Sequence, residues 1–413
     1  MNANYITPEM LVEISKNKTR IVEILLKKEH ENLAIQDNIN NLPRDIHDKI
    51  VEHFQLSMPS KYVLEDWVPT DKLDWFILSI NPCAIDLLMK QADFENSLTE
   101  EEYNNLDIKK KICWNRLCRN NESIEILKKY PLKIKWAYLS GNKKQQAVDI
   151  LKERIIYEKN NIPEYDELNR IWYNCFCDNE NPEIMDLVKE RIEYEKGMSI
   201  EELNNLDVPD KLDWSYLSAN SSAIQLLKDN KNYIDWRELS NNTNPLAIDL
   251  LRERAIKEDK MKPKYYKRLN NKINWEFLSN NPIAIDLLKE YPKKIDWTIL
   301  SGNPNAIELL KSNLKKIDWD ILSSNPNAIE LLKSNLKKID WISLSENPNA
   351  IELLETYPKK IYWKYLSKNY NAHNLIKKRY EYENTLKPCE LSKISNKLDW
   401  EFLSKNKAIF SLV

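Results

Sequence analysis

The chain has 413 residues, with 62 Lys and Arg against 64 Asp and Glu, a formal net charge of -2, and only 3 glycines. Balanced charge gives no global pull toward nucleic acid or an anionic membrane. Scarce glycine argues against the phosphate-cradling loops of nucleotide-dependent α/β enzymes.

The N-terminus, Met1-Asn2-Ala3-Asn4-Tyr5, has no basic stretch followed by an apolar core, and no apolar run reaches the length of a membrane span. The expectation is a soluble, cytoplasmic protein with no membrane partner. Residues 1–63 are expected to form a helical N-terminal region. Thr7-Pro8 starts one helix, and Leu11 to Leu25 reads as a worn copy of the repeat described below. A second helix, within 40–56, runs through Leu42-Pro43-Arg44-Asp45-Ile46-His47-Asp48-Lys49-Ile50. This segment resembles the opening of an F-box. That resemblance implies docking to the small adaptor subunit of a cullin ubiquitin ligase through Leu42, Pro43, Ile46 and Ile50.

From residue 64 to 413 the chain repeats itself, which predicts an all-α fold, an elongated α/α solenoid. The clearest copy reads Ile295-Asp296-Trp297-Thr298-Ile299-Leu300-Ser301-Gly302-Asn303-Pro304-Asn305-Ala306-Ile307-Glu308-Leu309-Leu310, and tryptophans recur at a period of 22 from Trp275 through Trp297, Trp319 and Trp341 to Trp363. Earlier copies centre on Trp75, Trp114, Trp136, Trp172, Trp214 and Trp236, and a last one on Trp400, giving twelve repeats. Only Trp67 lies outside the pattern. In the copy at Trp172 the register is disturbed: Cys175 stands for Leu, Phe176 for Ser, and Asn drops out.

Each unit predicts two short helices. Asp296 caps the first, with Ile295 and Leu300 placed as a hydrophobic staple. Asn303-Pro304 starts the second, and Asn313 is expected to end it in a left-handed conformation. Helices this short are marginal alone, so stacking is obligatory. Trp297, Leu300, Ala306, Ile307 and Leu310 would meet their counterparts in a continuous core containing a tryptophan ladder, each buried side chain contributing roughly 1.5–3 kcal/mol. The recurring Ser301 and Asn303 read as caps rather than catalytic groups. His373 replaces an Ile and reads as a packed imidazole.

Several copies carry an insert between the second helix and the next Trp, stretching the Trp spacing to 36–42 residues. Three contain Arg-x-x-Tyr-Glu: Arg154/Tyr157/Glu158, Arg191/Tyr194/Glu195 and Arg379/Tyr382/Glu383, with Arg254/Lys257/Glu258 as a partial fourth. Capping boxes at Thr99/Glu102 and Ser199/Glu202 predict a further short helix. Inserts on a solenoid gather on one face, so Arg154, Tyr157, Arg191, Tyr194, Arg379 and Tyr382 are candidate partner contacts; an alternative is that they pair and pack among themselves. At the C-terminal end, Ala408-Ile409 begins a helix, and Phe410 to Leu412 would form an exposed apolar end that packs on the chain itself or on another subunit.

Six cysteines (Cys83, Cys113, Cys118, Cys175, Cys177, Cys389) make no Cys-x-x-Cys pair and have no histidine at ligand spacing, so no metal or cofactor is expected. The four histidines (His30, His47, His53, His373) make no acid-base constellation, which argues against an enzyme. A non-enzymatic protein-binding scaffold is the first functional reading. A nucleic-acid binder is the second, using the ladder Lys293-Lys294, Lys315-Lys316, Lys337-Lys338 and Lys359-Lys360. Asp296, Asp318 and Asp340 beside those lysines weigh against it.

The repeat, entered through Glu65-Asp66-Trp67-Val68-Pro69-Thr70-Asp71-Lys72-Leu73-Asp74-Trp75, resembles tandem-repeat proteins of giant DNA viruses of amoebae over residues 64 to 413. That resemblance implies a repeat scaffold acting in the host cytoplasm or viral factory, without an assigned activity.

Overall fold

The structure, a computed structural model, describes residues 62–160 and 170–412; the expected helix with Leu42, Pro43, Ile46 and Ile50, and the worn repeat copy at Leu11 to Leu25, lie outside them. Residues 62–413 form one compact unit. It is all-α: pairs of short helices succeed one another, and the described residues contain a single two-stranded antiparallel ribbon, β1 (Tyr62–Leu64) with β2 (Phe410–Leu412).

Local chemistry sets each unit. In the repeat of Trp297, Asp296 accepts the N–H of Ile299 and starts the helix Trp297–Ser301. Asn303 then caps a 3-10 turn, Pro304–Ala306, which leads into the second helix, Ile307–Lys311. Asn-Pro therefore starts that helix one turn early. Only Asn181-Pro182 and Asn244-Pro245 run directly into α-helix. Asn313 ends the helix differently from expectation. Its φ is -136°, outside the left-handed region, and its Nδ2 donates 2.9 Å to the carbonyl of Leu309. The amide side chain thus satisfies a terminal carbonyl directly, so no positive φ is needed.

The core is continuous through the array. Leu300, Ala306 and Leu310 are fully buried, whereas Trp297 and Ile307 sit half-buried at its margin. The tryptophans form no ladder of their own. Their ring contacts include tyrosines and cations, as with Trp341 on Tyr357 and Lys316 on Trp297. Packed helices stand about 8–10 Å apart, too far for rings on equivalent positions to stack.

The ladder that does run through the array is polar. Each ladder Ser Oγ accepts the N–H that opens the next repeat, and all but Ser218 donate to the carbonyl four residues back, as in Ser301 to Trp297 O at 2.8 Å and Asp318 N–H to Ser301 Oγ at 3.0 Å. From Asn120 onward each ladder Asn Nδ2 donates to two carbonyls of the preceding repeat, as in Asn325 to Ser301 O and Asn303 O, both 3.0 Å, while its Oδ1 accepts the N–H two residues on. These residues are buried, Ser301 and Asn303 at 0 % exposure. A buried amide with its donors and acceptor all engaged avoids the desolvation penalty of an unpaired group.

The same ladder corrects the copy at Trp172. Asn179 Nδ2 donates to Ser140 O and Asn142 O, and Asp213 N–H donates to Cys177 Sγ at 3.2 Å. Asn179 and Cys177 are therefore the Asn and Ser of this repeat, Phe176 is its Leu, and Tyr173 holds the tryptophan position. Trp172 stands where the others carry Asp, with its N–H on Ser140 Oγ at 3.3 Å. The preceding insert is one residue out of step, which the Trp alone disguises.

The array is closed, not elongated. Asp74 N–H donates to Ser404 Oγ at 2.9 Å and Asn81 Nδ2 to Ser404 O at 3.0 Å, so the first repeat meets the last through the bonds that join every other pair of neighbours. Lys72 lies 5.3 Å from the Trp400 ring centroid, in the role that Lys316 plays over Trp297 at 4.2 Å. The twelfth repeat is split between the two sides of the seam. Trp400–Lys405 gives its first helix, and Tyr62 to Lys72 replaces the rest. Trp67 packs against Tyr380 of the eleventh repeat, with centroids 5.5 Å apart, and Val68 is buried in the core, where a second helix would otherwise sit. Phe410 and Ile409 are accordingly covered, so the apolar end packs on the chain itself, as β2 instead of the expected helix, while Leu412 stays exposed. Successive Trp helices touch more than successive second helices do, as expected for the inner side of a closed curve.

Candidate binding surfaces of the ring

The recurring polar residues are consumed by the ring itself, which leaves the inserts and the lysine turns as candidate surfaces. Insert helices continue the second helix because their register keeps Leu151 and Ile155, or Val188 and Ile192, on the core. The next carboxylate then ties the insert back. Glu158, Glu195, Glu258 and Glu383 each accept the N–H two residues before the next first helix, at 2.9–3.3 Å, on Ile171, Leu212, Ile273 and Leu398. Glu95 does the same in the first insert, to Ile112 at 2.6 Å. The sequence singles out the motifs of Glu158, Glu195 and Glu383 as Arg, Tyr and Glu, with that of Glu258 as a partial fourth, but not the role of the Glu, whose partner is a backbone atom with no sequence signature.

The arginines complete this staple. The Arg379 guanidinium lies 5.0 Å from both the Trp363 and Tyr382 centroids, its Nε donates to Glu383 Oε1 at 2.7 Å, and a terminal nitrogen donates to Asn396 O at 2.8 Å. Arg191 is held the same way between Tyr173 and Tyr194, with Glu195, and Arg154 between Trp136 and Tyr157, with Glu158. These guanidiniums are mostly buried and engaged inward. Tyr157, Tyr194 and Tyr382 remain about half exposed, at 52, 55 and 49 %. Repeats three and four set the first two of these tyrosines on adjacent inserts, and the third lies four repeats away, across the seam.

The lysine pairs occupy exposed 3-10 turns, Leu314–Lys316 and Leu336–Lys338 among them. Two of the second members cover tryptophans, Lys316 over Trp297 and Lys338 over Trp319 at 4.4 Å, whereas Lys294 lies over Tyr266. His373 lies at the seam, with Nδ1 2.8 Å from Ala408 O and its ring edge-on to Trp67. Cys118 and Cys177 stand in the serine ladder. Burial pushes their thiols up, to about 11 and about 12 respectively, so they serve as neutral ladder members. Among the described residues no group of three or more His, Cys, Asp and Glu is placed to hold a metal ion, and no helix is long and apolar enough to cross a membrane.

Comparison with protein-family models, curated proteins and solved structures returned no match.

Proposed function

We propose that this chain is a non-enzymatic protein-binding scaffold whose partner is read by the insert tyrosines. The observation that carries this reading is the backing of Tyr157, Tyr194 and Tyr382, each held from behind by an arginine that is itself fixed by a glutamate. Aromatic side chains dominate the energetics of protein interfaces, and a ring already immobilised loses little entropy on binding. A closed ring with its polar ladder satisfied offers a stiff frame for such anchors. The resemblance to giant-virus repeat proteins suggests a host or viral protein as partner, in host cytoplasm or viral factory. The F-box-like segment at Leu42, Pro43, Ile46 and Ile50 suggests recruitment to a cullin ligase.

The test is co-purification with the full chain, with Tyr157→Ala/Tyr194→Ala/Tyr382→Ala, and with Leu42→Ala/Ile46→Ala. A partner lost with the tyrosine variant supports the scaffold reading, and a cullin adaptor lost only with the Leu42/Ile46 variant supports the adaptor role. Partners retained by the tyrosine variant, or salt-sensitive retention of RNA in place of any protein, would contradict the reading.

A further inference from the structure

Two inserts, the first and the one after the sixth repeat, build the same cavity five repeats apart. The first encloses about 270 Å³ and is lined by Glu95, Tyr103, Trp114, Tyr130 and Lys133. The second encloses about 190 Å³ and is lined by Glu258, Tyr266, Trp275, Tyr291 and Lys294. The correspondence holds position by position. Each tyrosine of the insert lies eight residues after the glutamate, and each Trp–Tyr pair spans sixteen residues, with centroids 5.9 and 5.2 Å apart.

Both cavities share an uncommon feature at their base. Glu95 and Glu258 are 7 and 6 % exposed, and in each the Oε1 is engaged by a backbone N–H while the Oε2 is buried with no hydrogen-bond partner. An orphaned buried carboxylate oxygen is costly, and its recurrence at equivalent positions makes it a feature rather than an accident of packing. A second carboxylate lines each cavity, Glu100 in one and Asp259 in the other, against one lysine. That lysine is drawn toward the insert tyrosine: Lys133 lies 5.9 Å from the Tyr103 centroid and Lys294 5.3 Å from that of Tyr266. The lining is thus aromatic, sets two carboxylates against one lysine, and is short of one hydrogen-bond donor; at the second cavity Arg254 already holds the other oxygen of Glu258, its Nε 2.8 Å from Oε1.

Two other inserts carry different residues at the equivalent positions. After the fourth repeat, Leu203 stands at the tyrosine position, and Tyr233 stacks on Trp214 with centroids 4.6 Å apart. At the seam, Lys72 covers both Trp400 and Tyr380.

We propose that these two cavities are equivalent sites for arginine side chains of a protein partner, the guanidinium resting against Trp114 or Trp275 and donating to the free oxygen of Glu95 or Glu258. Guanidinium is weakly hydrated, lies well on aromatic faces and presents several donors. The chain already uses this arrangement internally, with Arg379 between Trp363 and Tyr382 on Glu383. A partner offering two arginines could engage both cavities at once and gain from the linkage. The inference rests on the scaffold reading and names the chemistry of its partner.

The test uses the full chain and a capped Gly-Gly-Arg-Gly-Gly peptide, titrated by calorimetry beside its citrulline counterpart, which keeps the shape and removes the charge. Two equivalent weak sites are expected, with citrulline at least tenfold weaker. Glu95→Gln or Glu258→Gln should each remove one site, and the double variant both. If the double variant does not melt cooperatively, Tyr130→Ala/Tyr291→Ala, which removes half-exposed wall residues, replaces it with the same expectation. Citrulline binding within twofold of arginine, or two sites retained in the double variant, overturns the proposal. A partner that depends on Tyr157, Tyr194 and Tyr382 but is indifferent to Glu95→Gln/Glu258→Gln would leave the scaffold standing and remove the arginine sites.

Discussion

The backbone N–H of Asp74 donates 2.9 Å to the hydroxyl of Ser404, 330 residues along the chain. The equivalent bond joins residues 17 apart in the regular copies, as between Asp318 and Ser301. The seam is therefore chemically one more repeat junction, and the ring closes with no unmatched end. In an open solenoid the terminal repeats must be capped against solvent; here each covers the other.

Loss of one ladder amide should be felt strongly. Asn325→Ala leaves the carbonyls of Ser301 and Asn303 without their buried donor, and a loss of about 2–4 kcal/mol is expected by denaturant unfolding. Asn327→Ala removes an exposed bond to Pro304 O and should stay within about 1 kcal/mol. Equal effects would mean that burial of the amide is not what matters.

Arg379→Ala should cost about 2–4 kcal/mol, because it leaves the buried Glu383 carboxylate without its countercharge and withdraws the cation between Trp363 and Tyr382. Lys311→Ala, in an exposed pair with Glu308, should change stability by no more than about 0.5 kcal/mol. The contrast is measurable by parallel urea titrations, and a neutral Arg379→Ala would show the staple to be ornamental.

Cys118 and Cys177 should resist thiol reagents near neutral pH in the folded chain, since both are buried and titrate near 11 and 12. Exposed Cys389 should react first. Cys118→Ser and Cys177→Ser restore the hydroxyl found at the other junctions, so a gain or no change in melting temperature is expected. Rapid labelling of either native residue would contradict its ladder role.

Burial pushes the Glu95 carboxyl above its ordinary range, against the lowering by the Ile112 N–H, Gln91 and the nearby Lys133 and Lys111. A carboxyl raised on folding holds its proton more tightly in the folded state. Its contribution is fully present below the unfolded pKa and lost as pH rises through the folded one. The parent chain should thus lose stability relative to Glu95→Gln as pH rises from about 4, the ordinary range of the unfolded carboxyl. A difference that stays constant as pH rises would refute the assignment.

Much of the fold was legible from Trp297, Leu300, Ser301, Asn303 and Leu310, because two-helix packing repeats with the sequence and each side chain's local role follows from its neighbours. The closed ring was not, because the joining of Tyr62–Leu64 to Phe410–Leu412 is a single long-range event with no periodicity of its own. Curvature accumulates over twelve junctions, and no one repeat records the sum. The shift at Tyr173 was hidden because tryptophan is the loudest mark in each copy, yet the Asn ladder, with Asn179 in place, is the stricter constraint. Of the candidate contacts, Arg154, Arg191 and Arg379 were found by recurrence, but recurrence also marks structural need, and their guanidiniums face inward. Glu95 carries no motif to distinguish it from a surface glutamate, and the partial motif around Glu258 gives no sign of its unpartnered oxygen; only burial does.

Closure is tested most directly by a disulfide across the seam. Tyr62 and Leu412 are paired residues of β1 and β2, and Glu65 N–H to Ile409 O at 3.0 Å places them at a non-hydrogen-bonded position, where Cα atoms lie within disulfide reach. On mild oxidation, Tyr62→Cys/Leu412→Cys should form an intramolecular crosslink at high dilution, seen as one linked peptide by mass spectrometry, in a monomer that melts no lower than the parent. Failure to crosslink in the folded monomer, or crosslinks found only between chains, would contradict the closed ring.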